Sequence, residues 1–223
     1  GQKLSKRRGA VSVIAYEDNG YLPEAMLNYL ARLGWSHGDD ELFTREQMVS
    51  WFDGSHLSKS PAQWDAAKLA WVNAQYIKAR SDDALAPLVA AQLKKRGIEA
   101  DDRLVAICAL FKDRCETTVA LADWAAAFYA DVHASEADRA QHITDAVKPA
   151  VATLADKLST LPTWDKATIA AAIKETLAAH SLKMPALAMP VRVLVMGTPQ
   201  TPSLDAVLAI FSKEKIIERL KLA

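Results

Sequence analysis

The sequence predicts an all-α protein, and three observations support this prediction. Apolar residues recur at spacings of three and four over most of the chain, which is the period of a helix with one buried face. Prolines and capping residues stand where helices should begin, and glycines follow where they should end. No stretch alternates apolar and polar residues over several segments, so no sheet of any size is expected. With 223 residues, 51% of them hydrophobic, the chain is long enough to bury a sizeable core.

The first strong helix signal follows a turn at 18–20. Pro23 stands at the first helical position and Gly34 follows the last, the usual placement of these two residues. The preceding stretch, 9–15, is predicted to be short and extended or irregular. The apolar stripe of the helix consists of Leu22, Met26, Leu30 and Leu33.

Capping residues mark the next two predicted helices. Thr44 and Gln47 have the spacing of a capping box, in which each side chain bonds the other residue's backbone amide. This box predicts a helix that ends near Phe52. The same spacing recurs at 60–63, ahead of a helix predicted over 65–70.

Beyond residue 76 the pattern is a continuous run of helices. Asp101 and Asp102 favour a helix N-terminus because their charges interact well with the helix dipole. The apolar face of that helix consists of Leu104, Ile107, Cys108 and Phe111. Residues 191–195 have strand propensity, but no partner strand lies nearby, so a helix is predicted there. The other predicted helices cover 81–97, 117–129, 135–147, a segment from Pro149, 163–180, and two terminal segments from Ser203 and Ser212.

Composition excludes several classes of protein. The formal net charge is zero, so the whole chain exerts no long-range attraction on nucleic acid. No apolar run has the length needed to cross a bilayer, and no signal-peptide pattern opens the chain. Cys108 and Cys115 form neither a disulfide framework nor a zinc motif, and no metal site is expected. The expected location is the cytoplasm.

The first eight residues carry four cations, Lys3, Lys6, Arg7 and Arg8, and no acid. Flexible cations on a loop can reach a phosphate group. Most such runs, however, are solvated tails or general nucleic-acid patches. The residues alone leave both interpretations open.

This basic segment is the first of several motifs that extend over nearly the whole chain. The motifs are Lys3-Leu4-Ser5-Lys6-Arg7, Gly20-Tyr21-Leu22-Pro23-Glu24-Ala25, Asn28-Tyr29-Leu30, Leu33-Gly34-Trp35-Ser36, Ser58-Lys59-Ser60-Pro61, Asp65-Ala66-Ala67-Lys68-Leu69, Asn73-Ala74-Gln75-Tyr76-Ile77, Pro190-Val191-Arg192-Val193, Gly197 and Lys213-Glu214-Lys215. Taken in order, they resemble bacterial glutamyl-tRNA synthetases, from the end of the catalytic region to the C-terminus. The most specific block is 20–36, whereas 81–163 is only loosely patterned.

The resemblance implies part of a glutamate–tRNA ligase, an enzyme that uses ATP with Mg²⁺ to attach glutamate to its tRNA. The basic run is then the family's version of the KMSKS loop. Lys6 aligns with the second lysine of that loop, which is the catalytic contact to the ATP phosphates. Lys3 and Arg7 lie on either side of Lys6 in the sequence and would contact the same phosphates. A positively charged group placed beside the leaving pyrophosphate stabilises the negative charge that develops there, and it lowers the activation barrier by about 3–4 kcal/mol. The chain lacks a glycine-rich phosphate loop and a His-x-Gly-His motif. We therefore expect a C-terminal fragment that binds no cofactor and is inactive alone.

The resemblance also implies a division of the chain into three regions. Residues 1–76 would hold the signature loop and a helical segment that contacts the tRNA stem. Residues 77–130 and 131–223 would be two subdomains of a helical-bundle anticodon-binding domain, an α-helix cage.

Three cations in the anticodon-binding region are candidate tRNA contacts. Arg114 and Lys112 lie on one predicted helix, and Arg103 lies about three turns earlier. The planar fork of an arginine suits base edges and phosphates, and single-stranded loops are read by such groups. The alternative is that these cations are exposed charges paired with helix neighbours such as Asp113 and Glu116.

Two other features also bear on RNA binding. The six tryptophans are expected to pack in the core, and Trp35, just past a predicted helix end, is the one candidate to face RNA instead. The denser basic run Lys94-Lys95-Arg96 lies beside a helix C-terminus, where cations are stabilising without any ligand. We therefore do not interpret that run as an RNA site.

Two classes of function remain open. In the first, the partner is tRNA(Glu), with glutamate and ATP bound by the parent enzyme, no membrane contact and a monomeric protein. Within this class, glutaminyl-tRNA synthetases would be expected to carry β-barrels at this end, and the absence of strand patterning argues against them. In the second class, the chain is a non-catalytic helical scaffold or protein-interaction domain whose basic start is incidental.

Overall fold

The computed structural model describes residues 12–223, which contain thirteen α-helices. They are α1 Val13–Asp18, α2 Pro23–Gly34, α3 Arg45–Trp51, α4 Ala66–Ala79, α5 Asp82–Lys94, α6 Arg103–Phe111, α7 Thr118–Ala126, α8 Glu136–His142, α9 Lys148–Ser159, α10 Lys166–Ala179, α11 Met184–Met196, α12 Leu204–Ile210 and α13 Lys213–Leu220. A 3-10 turn, Lys112–Arg114, follows α6. These residues contain no strand, and only an isolated bridge joins Trp35 and Leu57. The predicted all-α fold class is confirmed.

The described residues form two compact units. The first unit contains the residues up to Gly97 together with Phe111–Asp123. The second unit contains Ile98–Leu110 and Trp124–Ala223. No helix of this part of the chain is long and apolar enough to cross a membrane.

The helix signals of the first unit are largely confirmed. Helix α2 begins at Pro23 and its last residue is Gly34. The capping box before α3 is present, because the amide of Thr44 donates to Gln47 Oε1 at 2.8 Å and the amide of Gln47 donates to Thr44 Oγ1 at 3.2 Å. Ser81 caps α5 as predicted, and Pro87 lies inside that helix.

Three local predictions in this unit were wrong. Residues 60–63 do not cap a helix; Asp65 caps α4 instead, its Oδ1 accepting from the amide of Lys68 at 3.0 Å. Helix α4 also continues to Ala79, well beyond the predicted end at residue 70. Residues 13–15, predicted to be extended or irregular, begin α1, and residues 9–11 of that stretch lie outside the described part.

The core of the first unit lies between α2 and α4. Met26, Tyr29 and Leu69 are buried together. Four partly buried residues surround them, namely Tyr16, Tyr21, Leu33 and Trp64. The Tyr29 hydroxyl also accepts a 2.6 Å hydrogen bond from the amide of Asp65, so the core fixes the start of α4.

The second unit is built from consecutive packed helices. Helix α9 packs against α10, α11 and α13, while α10 packs against α12 and α11 packs against α8 and α13. Its fully buried side chains include Leu154, Leu158, Ile169, Leu187, Val191, Leu208 and Ile216. The helix predicted over 191–195 is confirmed within α11, whereas the helix predicted over 135–147 is shorter and ends at His142.

Candidate nucleic-acid interface

The predicted ATP contacts Lys3, Lys6 and Arg7 lie outside the described residues. Each of the three predicted tRNA contacts is therefore described within its own unit. Arg114 and Lys112 belong to the first unit and Arg103 belongs to the second. We call residues 112–118 the Arg114 turn.

The Arg114 turn is anchored at its first residue by an internal ion pair. The Lys112 ammonium donates to the carbonyl of Arg80 at 2.9 Å and lies 2.8 Å from Asp82 Oδ1. Arg80 follows the last residue of α4, and Asp82 is the first residue of α5. A cation is stabilising at a helix C-terminus because it bonds carbonyls that lack helical partners. With its side chain only 17% exposed, Lys112 is committed to this contact.

The middle of the turn is fixed by burial of Cys115. This residue is 2% exposed, its amide donates to Lys112 O at 3.1 Å, and its thiol donates to Phe111 O at 3.4 Å. Burial raises the pKa of the Cys115 thiol to about 12. A thiol that stays protonated is neither a nucleophile nor a metal ligand, so Cys115 serves packing.

The end of the turn is bonded to two other segments of the first unit. The carbonyl of Glu116 accepts from Asn73 Nδ2 at 2.5 Å. The amide of Thr118, the first residue of α7, donates to Gly20 O at 3.0 Å. The turn is therefore held at its start, middle and end.

Arg114 is the exposed cation of this anchored turn. Its guanidinium has no hydrogen bond or ion pair with any residue from 12 to 223, and neither Asp113 nor Glu116 pairs with it. A side chain on a fixed backbone loses less conformational freedom on binding than one on a mobile loop. The turn therefore presents a preorganised guanidinium fork, suited to a base edge or a phosphate.

Arg103, in the second unit, is engaged by a carboxylate and a ring. Its Nε lies 3.0 and 2.9 Å from the two Asp101 oxygens, and its guanidinium lies 5.0 Å from the centre of the Tyr129 ring. The hydrogen bond with Asp101 raises the pKa of Arg103, and the same bond lowers the pKa of Asp101. Burial, followed by the Asp101 charge, raises the pKa of Tyr129 to about 12. Arg103 thus already has an internal partner, although about a third of its side chain is exposed.

Two further sequence-based expectations are settled by the structure. Trp35 is 5% exposed and packs edge-on against Phe43 and Phe52, so it belongs to the core, and the alternative that it faces RNA was wrong. In the basic run, Lys95 pairs with Asp18 at 3.0 Å and Arg96 pairs with Asp123 at 2.6 Å. Two of its three cations are therefore engaged within their own unit, in agreement with the structural interpretation.

Sequence reasoning gave no role to Asn73, which bonds the Arg114 turn. It is a fully buried polar residue on α4, among the buried apolar residues Leu69, Val72 and Ile77. A short amide side chain on an otherwise apolar helix face is the signal that would have indicated it, because buried polar groups need hydrogen-bond partners.

Comparisons with family models divide the chain into two matched parts. The model described as an anticodon binding domain matches residues 83–223, more than half of the chain. The model of the catalytic domain of class I tRNA synthetases (E and Q) matches residues 1–71.

Individual relatives agree with these matches. The glutamate–tRNA ligase of Albidiferax ferrireducens is 65% identical over 221 residues, which cover 99% of this chain and 48% of that protein. The glutamate–tRNA ligase of Paracidovorax citrulli is 63% identical over 227 residues, covering 100% of this chain and 47% of that protein. The chain thus spans about half the length of the curated relatives it matches.

Solved structures show the same relationship. A glutamate tRNA ligase from Elizabethkingia meningosepticum, crystallised with its amino acid, superposes with a TM-score of 0.87 at 26% identity, covering 100% of this chain and 48% of that one. The glutamate–tRNA synthetase of Elizabethkingia anophelis superposes with a TM-score of 0.79 at 27% identity, covering 93% of this chain and 41% of that one. The chain therefore belongs to the family that carries this anticodon-binding domain, and the resemblance of its motifs to the glutamyl-tRNA synthetases is confirmed.

Proposed function

We propose that the chain is the tRNA-binding part of a glutamate–tRNA ligase and that it recognises the anticodon and stem of tRNA(Glu). The observation that carries this proposal is the exposed guanidinium of Arg114, which pairs with no residue from 12 to 223, on a turn anchored at both ends. The turn lies within residues 83–223, which match an anticodon-binding domain. Arg114 would be the direct contact. Lys112, held by Arg80 and Asp82, would add positive charge beside it, and Arg103 in the second unit would be a separate tRNA contact.

The proposal assigns a role to each region of the chain. Residues 1–76 would carry the signature loop and the stem contact, and residues 77–130 and 131–223 would form the two anticodon-binding subdomains. In the whole enzyme, ATP with Mg²⁺ would activate glutamate, with Lys6 as the catalytic contact to the phosphates and Lys3 and Arg7 beside it. The chain alone would bind neither ATP nor glutamate productively. Glutamate-dependent ATP–pyrophosphate exchange by the isolated chain would contradict that part of the proposal.

We also propose that the protein is a monomer and that it is located in the cytoplasm. Cys108 and Cys115 are both buried and reduced, which suits a reducing compartment. Sedimentation at micromolar concentration tests the monomer, and a stable dimer would contradict it.

Binding of a fluorescent tRNA(Glu) transcript tests the central claim. We expect the chain to retain tRNA(Glu) in preference to a transcript for another amino acid, with affinity that falls as salt rises. Arg114→Ala should weaken binding by about tenfold or more, because a well-placed arginine contact to a base is worth about 1–3 kcal/mol. Fluorescence anisotropy at several salt concentrations measures both effects.

Arg96→Ala is the matched control. Arg96 is an exposed arginine of the same unit, but Asp123 already pairs with it, so its removal should change the affinity little. Equal affinity for every tRNA, or none for any, would favour the alternative of a helical scaffold. An equal loss in the two variants would contradict the specific role of Arg114.

A further inference from the structure

A single buried amide joins the Arg114 turn to a segment far away in sequence. Asn73 on α4 is 0% exposed. Its Oδ1 accepts a hydrogen bond from the amide of Leu22 at 2.8 Å, and its Nδ2 donates to Glu116 O at 2.5 Å. Leu22 and Glu116 are 51 and 43 residues from Asn73, so one side chain links three separate parts of the first unit.

A second direct contact joins the same two segments. We call residues 18–22 the Gly20 turn. The carbonyl of Gly20 accepts from the amide of Thr118 at 3.0 Å, and Asn73 Nδ2 lies 3.4 Å from the same oxygen. Gly20 has φ +84°, and a Cβ at this position would lie 2.5 Å from Val119 N. Only glycine allows the Gly20 turn to lie against the start of α7.

The Gly20 turn is also held against α1. The amide of Tyr21 donates to the carbonyl of Tyr16 at 2.9 Å, and the two rings meet edge to face with centroids 5.5 Å apart. Trp64 packs against Tyr16 at 5.5 Å and therefore holds α1 from another side. In sequence, α1 begins at Val13, five residues after Arg8, the last of the basic residues that include Lys6.

We propose that Asn73 is a positioning residue that couples tRNA contact at Arg114 to the segment 12–22, which follows the predicted signature loop. The inference rests on the proposed function, because it requires tRNA at the Arg114 turn. A ligand that restricts the Arg114 turn also restricts the Gly20 turn, since the Asn73 amide is bonded to both. Coupling of this kind is reciprocal: whatever fixes segment 12–22 also favours tRNA binding at Arg114.

Asn28 provides a matched control within the same unit. It is 1% exposed, its Nδ2 donates to Glu41 O at 2.9 Å, and its Oδ1 accepts from the amide of Phe43 at 3.1 Å. The Tyr76 hydroxyl also lies 2.8 Å from that oxygen. Asn28 is therefore another buried amide with several partners, but its hydrogen bonds go to neither the Arg114 turn nor the Gly20 turn.

Hydrogen–deuterium exchange of the whole chain, with and without a tRNA(Glu) transcript, tests the proposal. In the wild type, tRNA should slow exchange in peptides that cover 112–120 and also in those that cover 12–22. Asn73→Ala should keep the first response and reduce the second by about fivefold or more, a factor within the usual range for coupled sites. Asn28→Ala should keep both responses, although it loses a comparable number of hydrogen bonds.

A second variant, Asn73→Asp, tests the same coupling if Asn73→Ala does not fold. Asn73→Asp keeps the size and the acceptor for Leu22 but removes the donor to Glu116, so it too should lose the response in 12–22. The wild-type measurement needs no variant, because a response confined to 112–120 would overturn the proposal by itself. A response in 12–22 that survives in both Asn73 variants would indicate that the direct Gly20–Thr118 bond, or tRNA contact at 12–22, carries it, and would also overturn the proposal.

The two proposals fail in different ways. If the wild-type chain binds no tRNA, the proposed function is wrong. If it binds tRNA(Glu) selectively but segment 12–22 does not respond through Asn73, the proposed function stands and this inference is wrong.

Discussion

The two units of the molecule reach stability by different means. In the first, long irregular stretches are fixed by buried amides, Asn28 and Asn73, whose side chains bond backbone groups far away in sequence. In the second, consecutive helices bury apolar side chains at regular spacings along each helix. Backbone groups outside regular structure must find partners elsewhere. The stability of the first unit therefore depends on a few individual buried residues, whereas that of the second depends on the regular spacing of apolar residues along its helices.

The second unit has one buried side chain that resembles those amides. Arg219 is 3% exposed, and its Nη1 donates to Ala127 O at 2.9 Å and Val195 O at 2.5 Å. Its Nη2 donates to Ala130 O at 2.8 Å. Val195 lies in the last turn of α11, whereas Ala127 and Ala130 follow the last residue of α7, so these carbonyls need partners from outside the helices. Burial lowers the pKa of Arg219, but an arginine remains charged in proteins.

The largest effect should come from Gly20→Ala, which tests the dependence of the first unit on one residue. The variant combines a strained backbone at φ +84° with a Cβ placed 2.5 Å from Val119 N. Each of these costs about 1–3 kcal/mol, so the free energy of unfolding should fall by about 4 kcal/mol. Urea denaturation followed by circular dichroism measures the change.

Gly54→Ala separates the two causes. Gly54 has nearly the same φ, +80°, but no atom lies within 4 Å of the added Cβ. We expect a loss of only about 1 kcal/mol from the backbone. Equal losses in the two variants would show that the contact between the Gly20 turn and α7 contributes nothing.

Arg219→Met should have the next largest effect, this time in the second unit. The substitution leaves three carbonyls without their donor while it removes a buried charge, and we expect a net loss of about 3 kcal/mol. Thermal or urea unfolding measures it. Arg139→Met is the control, because Arg139 is exposed and donates to a single carbonyl, that of Leu222, at 3.2 Å. If Arg219→Met were neutral, the second unit would depend on apolar packing alone.

Asp101→Asn should have the smallest effect and should depend on pH. The bond from Arg103 lowers the pKa of Asp101, so the ionised carboxylate stabilises the folded state above its unfolded pKa, about 3.9. That stability is lost as the pH falls through the lower folded pKa. For a pair this exposed, we expect a difference of under about 1 kcal/mol between wild type and variant at pH 7. It should shrink in urea titrations toward pH 3; a constant difference would exclude ionisation as its cause.

The fold follows from the sequence wherever local signals and tertiary packing agree. Pro23 and Gly34 mark α2 correctly, and the helices of the second unit follow from their apolar spacing. Helix α1 was missed because it is only six residues long and begins with the β-branched pair Val13 and Ile14, which have weak helix propensity. The false cap at 60–63 has the same spacing as the capping box before α3, whereas the helix start predicted at Asp65 agrees with its role as the N-cap of α4.

The candidate site is less predictable, because its geometry depends on distant partners. The sequence indicates Arg114 as a cation near a helix boundary, but not that it would be unpaired. Lys112 is engaged by the carbonyl of Arg80, 32 residues away, and no periodic pattern indicates such a contact. The role of Asn73 depends on still longer separations, although its polarity on an apolar helix face is visible in the sequence.

The burial of both native cysteines has a practical consequence for fluorescence labelling. Cys108 and Cys115 are 0% and 2% exposed, and they are the two cysteines of the sequence. Maleimide dyes react with accessible thiolates, so the folded wild-type chain should label slowly. A cysteine introduced on an exposed helix, for instance by Lys174→Cys on α10, would then accept a dye selectively, without removal of the native thiols.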